Sequence, residues 1–177
     1  MSKISTKQLA LTAMFAALTA VLSQISIPLP TGVPITLQTL AVSLCGYVLG
    51  WQYGGAAVLV YLMLGAVGAP VFAGFTGGFS HFWGYTGGFL IGFLFMTVIT
   101  GFSFKFSNKF IKISFGIAGL LVCHLLGAVQ FSVLSGNGFL KSILLVSLPY
   151  IVKDIISVVA AYFASIAIRK ALRYEAA

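Results

Sequence analysis

Residues 65–92 read GAVGAPVFAGFTGGFSHFWGYTGGFLIG and contain no Asp, Glu, Lys or Arg. Six aromatic side chains lie between Phe72 and Tyr85 in this stretch. So many glycines disfavour a helix, because each costs about 1 kcal/mol relative to alanine in a helix interior. At membrane depth, irregular backbone is stable only where other protein covers it or where it lines a cavity. The stretch therefore predicts the wall of a binding pocket, with long apolar helices on both sides.

The composition of the whole chain excludes a soluble globular protein. Of its 177 residues, 60% are hydrophobic and 7% are charged, whereas a soluble domain has about 25% charged residues. The length suits one domain, so we predict a single integral membrane substrate-binding domain over residues 1–177, in the cell membrane. The net charge of +8 would suggest nucleic-acid binding in a soluble chain. Here membrane topology explains it, and no nucleic-acid partner is expected.

Six apolar segments have the character of transmembrane helices, which need about 20 apolar residues to cross a bilayer. We name them spans 1 to 6, and they cover about residues 5–25, 36–49, 55–67, 86–104, 114–134 and 148–172. Residues 27–34 contain three prolines and are predicted to form a loop. Residues 50–54 are predicted to be a tight turn, and residues 139–147 a short additional helix. The predicted fold is an all-α membrane protein of six transmembrane helices, with the glycine- and aromatic-rich stretch as an outer loop between spans 3 and 4.

The basic residues predict the orientation of these spans. An even number of spans places both ends of the chain, and the loop between spans 4 and 5, on one side of the membrane. Eight of the ten basic residues fall there: Lys3, Lys7, Lys105, Lys109, Lys112, Arg169, Lys170 and Arg173. Cytoplasmic loops carry the excess of Lys and Arg, so both termini are predicted to be cytoplasmic. The proline loop, residues 65–92 and residues 135–147 then face outward.

Span 1 carries a stripe of small residues, formed by Ala13, Ala16, Ala17 and Ala20. In lipid, small residues mark helix faces that another helix approaches closely. The stripe therefore indicates either packing within this chain or a docking face for a partner protein, and the sequence favours neither.

Asp154 is the only acidic residue in the apolar part of the chain, and it follows Lys153 about one turn into span 6. Ionisable groups inside a membrane nearly always face the bundle interior or water. Asp154 is therefore predicted to face the pocket. Lys153 is consistent with a structural ion pair or an ammonium group that reaches the membrane interface, or with a contact in the pocket. Adjacent helical residues point about 100° apart, so Lys153 and Asp154 need not both enter the pocket.

Few other residues offer chemistry. Gln38 and Gln130 are either interhelical hydrogen-bonding groups or ligand contacts, and His81 and His124 are interpreted as packing residues. The sequence has no paired carboxylates for acid–base catalysis, no phosphate-binding loop and no metal-ligand spacing. No catalytic residue, metal or cofactor is therefore expected in this chain. The pocket suits a small, mostly apolar molecule with one or two polar groups; a membrane enzyme and a structural scaffold are the competing hypotheses.

Several motifs together resemble one family. They are ALTAMFAALTA at residues 10–20, ISIPLP and PITLQTLAV within residues 25–42, LGAVGAPVFAGFTGG at 64–78, GYTGGFLIGF at 84–93 and PYIVKDII at 149–156. In these motifs the chain resembles the biotin-specific substrate-binding (S) component of energy-coupling factor (ECF) transporters, the BioY family. Three positions depart from the family pattern: Tyr85 and Phe89 replace the proline and the tyrosine of G-P-T-G-G-Y, and Ser157 replaces a lysine three residues after Asp154.

The resemblance implies an S component that captures biotin from outside and delivers it inwards. Its partners would be a transmembrane T component and two cytosolic ATPase subunits, which use ATP, and the alanine stripe would dock the T component. The residues implied or predicted to bind biotin are Gln38, Phe72, Gly74, Phe79, Trp83, Tyr85, Thr86, Gly87, Gly88, Tyr150, Lys153 and Asp154. The alternative is an S component or a solitary carrier for another small vitamin or heterocycle.

Overall fold

The computed structural model describes residues 5–172, and most of these residues are helical. The helices are α1 (Thr6–Ser23), α2 (Gln38–Ala66), α3 (Gly87–Phe102), α4 (Lys109–Ser135), α5 (Phe139–Val146) and α6 (Leu148–Leu172). Among the described residues, five helices are long and apolar enough to cross a membrane, with α3 extended by one 3₁₀ turn to Lys105. The prediction of a helical membrane protein is therefore confirmed.

Helix α2 contains both span 2 and span 3, because the chain reverses within it at Gly50. Gly50 has φ 79°, a conformation that costs glycine little and strains other residues. The Gln38 amide donates to the Tyr61 hydroxyl at 2.7 Å across 23 residues, which would be roughly 35 Å apart in a straight helix. Residues 38–49 and 51–66 are thus two antiparallel limbs. The turn predicted at residues 50–54 is therefore shorter than expected, since Gly50 alone reverses the chain and the residues after it are helical.

Local capping accounts for the start of α1 and for both ends of α4. The Ser5 hydroxyl and the Gln8 side chain form a reciprocal capping box at the start of α1. The Asn108 side chain accepts a hydrogen bond from the Phe110 amide at 2.8 Å, which starts α4 about five residues before the predicted bound of span 5. The predicted basic loop at 105–112 is therefore shorter than expected. Gly136, with φ 68°, ends α4.

A short β-hairpin replaces part of the predicted proline loop. Strands β1 (Ser26–Ile27) and β2 (Ile35–Thr36) are antiparallel, with Ser26 opposite Thr36. The intervening prolines cannot donate backbone hydrogen bonds, so the pairing is confined to the two flanking dipeptides. The hairpin fixes both ends of the loop between α1 and α2.

Glycines allow α3 to pack closely against α4. A Cβ atom on Gly92 would lie 2.8 Å from the Cα of Cys123, and one on Gly88 would collide with the carbonyl oxygen of Leu126. Gly88 and Gly92 lie four residues apart, which is the small-xxx-small spacing of close helix contacts in membranes. Gly88 and Gly92, which lie in the motif GYTGGFLIGF at residues 84–93, therefore contribute to helix packing.

Substitution of Gly88 by Leu is expected to prevent native packing of α3 against α4, because a larger side chain has no room beside the backbone of Leu126. We expect loss of the monodisperse peak in size-exclusion chromatography and a lower unfolding temperature in detergent. Gly138→Leu is the matched control, since a Cβ atom there meets nothing within 4 Å. A Gly88→Leu protein as stable as the control would contradict the assigned contact.

The two ends of the described chain meet at one end of the helix bundle. The Lys7 ammonium donates to the carbonyl oxygen of Leu172 at 2.8 Å, and the Arg169 guanidinium lies 4.2 Å from the centre of the Phe104 ring. The β-hairpin and the glycine-rich stretch lie together at the other end, where they share a cavity. Lys3 and Arg173, which contributed to the predicted orientation, lie outside the described residues.

Candidate binding cavity

A cavity of about 580 Å³ lies between the β-hairpin, the glycine-rich stretch and the adjoining parts of α2, α3, α4 and α6. This volume falls in the range of about 300–1,000 Å³ that is usual for small-molecule sites. Most of its wall surface is apolar or aromatic, and polar and ionisable side chains from several elements also line it. Other residues line the cavity that were not among the predicted biotin-binding residues. They include Pro28, Leu29, Val33, Thr36, Thr39, His81, Phe89, Cys123 and His124.

Eight residues of the predicted biotin-binding set line this cavity. They are Gln38, Phe72, Gly74, Tyr85, Thr86, Tyr150, Lys153 and Asp154. The structure therefore brings together residues from α2, the glycine-rich stretch and α6, which are far apart in the sequence. Their contact with a ligand remains a prediction.

The other four predicted residues lie elsewhere. Phe79 and Trp83 are 59% and 70% exposed, and their rings contact each other at a centroid distance of 6.2 Å. Both belong to the 3₁₀ helix Phe79–Trp83. Ser80 and His81 of the same helix line the cavity instead, because one short turn points successive side chains in different directions. Gly87 and Gly88 are buried in the first turn of α3, and a Cβ atom on Gly87 would collide with the carbonyl oxygen of Phe82.

Two glutamines hold the irregular wall in place. The Gln130 amide of α4 donates to the carbonyl oxygens of Phe82 and Gly84, each at 2.8 Å. The Gln24 side chain accepts from the Phe75 amide at 2.8 Å and donates to the carbonyl oxygen of Val71 at 3.2 Å. Side chains thus satisfy backbone groups that a helix would have paired internally, as buried backbone requires. Gln130 supports the wall and is not itself part of the cavity lining.

Helix α6 holds the β-hairpin over the cavity through two side chains. The Tyr150 hydroxyl donates to the carbonyl oxygen of Val33 at 2.6 Å. The Lys153 ammonium donates to the carbonyl oxygen of Thr36 at 2.8 Å. Lys153 therefore reaches the cavity although it lies about 100° around the helix from Asp154.

Asp154 is 4% exposed and its carboxylate has charged and polar neighbours on both sides. Its Oδ1 forms an ion pair with the Lys153 ammonium, and its Oδ2 lies 3.2 Å from Nε2 of His124. A buried carboxylate without such partners would be strongly destabilising. The interpretation of His124 as a packing residue is therefore incomplete. No local spacing predicts this contact, because 30 residues separate the two side chains.

The alanines of the stripe on α1 differ in solvent exposure. Ala16 is 2% exposed and belongs to the hydrophobic core, whereas Ala13 and Ala17 are exposed and Ala20 is intermediate. The two interpretations of the stripe thus apply to different residues. Ala16 packs within the chain, and Ala13 and Ala17 remain candidates for a docking face.

The geometry of the site supports binding of a small molecule. Within residues 5–172, no group of three or more His, Cys, Asp or Glu side chains is arranged to hold a metal ion. Cys123, which lines the cavity, donates to the carbonyl oxygen of Phe89 at 3.6 Å, and is not hydrogen-bonded to His124. A bundle of apolar helices with a cavity at one end defines a membrane protein that binds a small molecule.

Comparison with known proteins identifies the family. The model of the BioY family matches residues 1–174, and the chain belongs to this family. It is 42% identical over 150 residues to the probable biotin transporter BioY of Pyrococcus horikoshii, covering 85% of this chain and 88% of that protein. It is 38% identical over 167 residues to the biotin transporter BioY of Thermotoga maritima, covering 93% of this chain and 96% of that protein.

A solved structure shows the same fold. The crystal structure of the S-component for biotin from an ECF-type ABC transporter matches with a TM-score of 0.84 at 28% identity, over 98% of this chain and 97% of that one. These comparisons confirm the resemblance seen in the motifs. They also confirm the prediction of a multi-pass protein of the cell membrane that acts in transport and is not an enzyme.

Proposed function

We propose that this protein is the high-affinity biotin-binding S component of an ECF-type vitamin importer. The observation that carries the proposal is the cavity at the hairpin end of the bundle, in which one buried carboxylate, Asp154, faces mostly apolar and aromatic walls. Relatives named as biotin transporters also match most of the chain.

The chemistry of biotin suits the groups in the cavity. Its ureido ring has two N–H donors and a carbonyl group, and the Asp154 carboxylate is a strong acceptor for an N–H donor. Its sulfur-containing ring is apolar and polarisable, and aromatic side chains such as Phe72 and Tyr85 make favourable contacts with sulfur. Gln38, Thr86, Tyr150 and Lys153, together with the backbone of Gly74, are the proposed polar contacts.

The proposed orientation places both termini in the cytoplasm and the cavity on the outer side. It rests on the positive-inside rule and on the grouping of Lys7, Arg169 and the loop between α3 and α4 at one end of the bundle. In this orientation the cavity takes up biotin from outside. The transmembrane T component and two cytosolic ATPases, which use ATP, are the proposed partners for delivery inwards, and the exposed alanines of α1 are the proposed docking face for the T component.

A binding assay with competing vitamins tests the proposed ligand. Purified protein in detergent is incubated with radiolabelled biotin and an excess of unlabelled biotin, thiamine, riboflavin, folate or niacin. Of these five competitors, we expect only unlabelled biotin to displace the radiolabelled biotin. The same assay is repeated with each of the other vitamins as the label. Retention of one of them, with no retention of biotin, would favour an S component or carrier for that vitamin.

A further inference from the structure

The contact between His124 and Asp154 assigns the hydrogen-bonding state of both side chains. An ionised carboxylate only accepts hydrogen bonds, so Nε2 of His124, at 3.2 Å from Oδ2, is the donor. The Lys153 ammonium already balances the charge of Asp154 through Oδ1.

The position of the imidazole is itself fixed. His124 is 7% exposed in α4 and lines the cavity, and the Phe89 ring meets it edge-on at a centroid distance of 5.8 Å and an interplanar angle of 88°. Its Nδ1 is buried and has no hydrogen-bond partner among the described residues. The hydrogen bond to Asp154 is thus the one polar interaction shown for this ring.

Two helices therefore hold the Asp154 carboxylate from two directions. Lys153 of α6 contacts Oδ1 and also donates a hydrogen bond to the carbonyl oxygen of Thr36. His124 of α4 contacts Oδ2. Lys153 has a long, flexible side chain, whereas the packed imidazole is rigid and its hydrogen bond limits rotation of the carboxylate. Loss of the hydrogen bond from His124 would let the carboxylate turn away from a ligand donor. A small misplacement of a recognition group weakens the bond that it makes.

We propose that His124 is a positioning residue that orients the Asp154 carboxylate toward a ligand N–H group, and so contributes to selectivity for ligands with a urea-like ring. This inference rests on the proposed function, because it concerns the same cavity. It adds a residue from α4 to a site whose predicted polar residues come from α2, the glycine-rich stretch and α6.

A double-mutant cycle tests whether His124 acts through Asp154. Biotin affinity is measured by calorimetry for wild type, His124→Leu, Asp154→Ala and the double variant. We expect about a tenfold loss for His124→Leu and little further loss when it is added to Asp154→Ala, since groups that act as a unit are not additive. His81→Leu is the matched control, because His81 also lines the cavity but packs on Phe72. Its effect should add to that of Asp154→Ala.

Two further measurements separate positioning from a general effect on folding. His124→Gln retains an amide donor and is expected to recover most of the lost affinity. A biotin analogue methylated on a ureido nitrogen should be discriminated from biotin less well by His124→Leu than by wild type. Thermal unfolding without ligand reports whether each variant is folded.

The possible outcomes are distinct. Wild-type protein that binds no biotin would overturn the proposed function and this inference together. Wild-type protein that binds biotin, with His124→Leu equally tight or with additive losses in the cycle, would overturn the inference and leave the proposed function intact.

Discussion

Substitution of Asp154 by Ala is expected to weaken biotin binding at least tenfold. A hydrogen bond to a charged group contributes about 1.5–3 kcal/mol, and each 1.4 kcal/mol corresponds to about a tenfold change in affinity. The substitution also leaves the Lys153 ammonium beside the cavity without its carboxylate. Isothermal titration calorimetry on purified protein in detergent measures the effect.

Ser157→Ala is the matched control for this prediction. Ser157 is 5% exposed and lies one turn further along the buried face of α6, and it does not line the cavity. We expect its biotin affinity to equal that of wild type. Unchanged biotin affinity in Asp154→Ala would mean that the carboxylate does not contact biotin. Equal losses of affinity in both variants would indicate general damage to α6.

Substitution of Ala17 by Trp is expected to abolish biotin transport while biotin binding stays intact. Ala17 is exposed on α1, so a large side chain there has room in the isolated protein but would obstruct a helix packed closely against that face. Transport is measured as uptake of labelled biotin into cells that produce this protein together with a T component and the two ATPases. Binding is measured on the purified protein.

Ala16→Trp provides the contrast, because Ala16 is 2% exposed within the core. Overpacking a core destabilises a protein by about 1–3 kcal/mol or more, so we expect this variant to lose binding and transport together. If Ala17→Trp also lost both, the exposed alanines would be part of the internal packing after all. If it transported biotin normally, this face would not be the docking site.

The position of the cavity was predictable from residues 65–92, since glycine and aromatic residues without charge indicate irregular, covered backbone. The outward projection of Phe79 and Trp83 was not predictable, because the direction of a side chain in one 3₁₀ turn depends on tertiary contacts. The aromatic content of the stretch indicated the wall correctly but did not indicate which rings face the cavity.

Two glycine positions show why composition alone is ambiguous. Gly87 and Gly88 looked like turn residues of a ligand-binding motif, yet both begin a helix whose neighbour approaches closely. The GFLIG spacing at residues 88–92 was the available signal for that contact. Gly50 was predicted to begin a turn, but the sequence did not indicate that this single residue, with its positive φ, reverses the chain.

The buried network around Asp154 was predictable in part. A lone carboxylate in an apolar helix must face protein or water, and this placed Asp154 in the cavity. Its partner His124 comes from another helix, so no local spacing links the two residues. Contacts of this kind depend on how the helices are arranged, which a single sequence does not specify.

A crystal structure of this protein with bound biotin would show directly whether Asp154 contacts the ligand. We expect one biotin molecule in the cavity at the hairpin end of the bundle, with a ureido N–H within hydrogen-bond distance of the Asp154 carboxylate. Biotin bound elsewhere on the protein, or a ureido ring out of reach of Asp154, would contradict it.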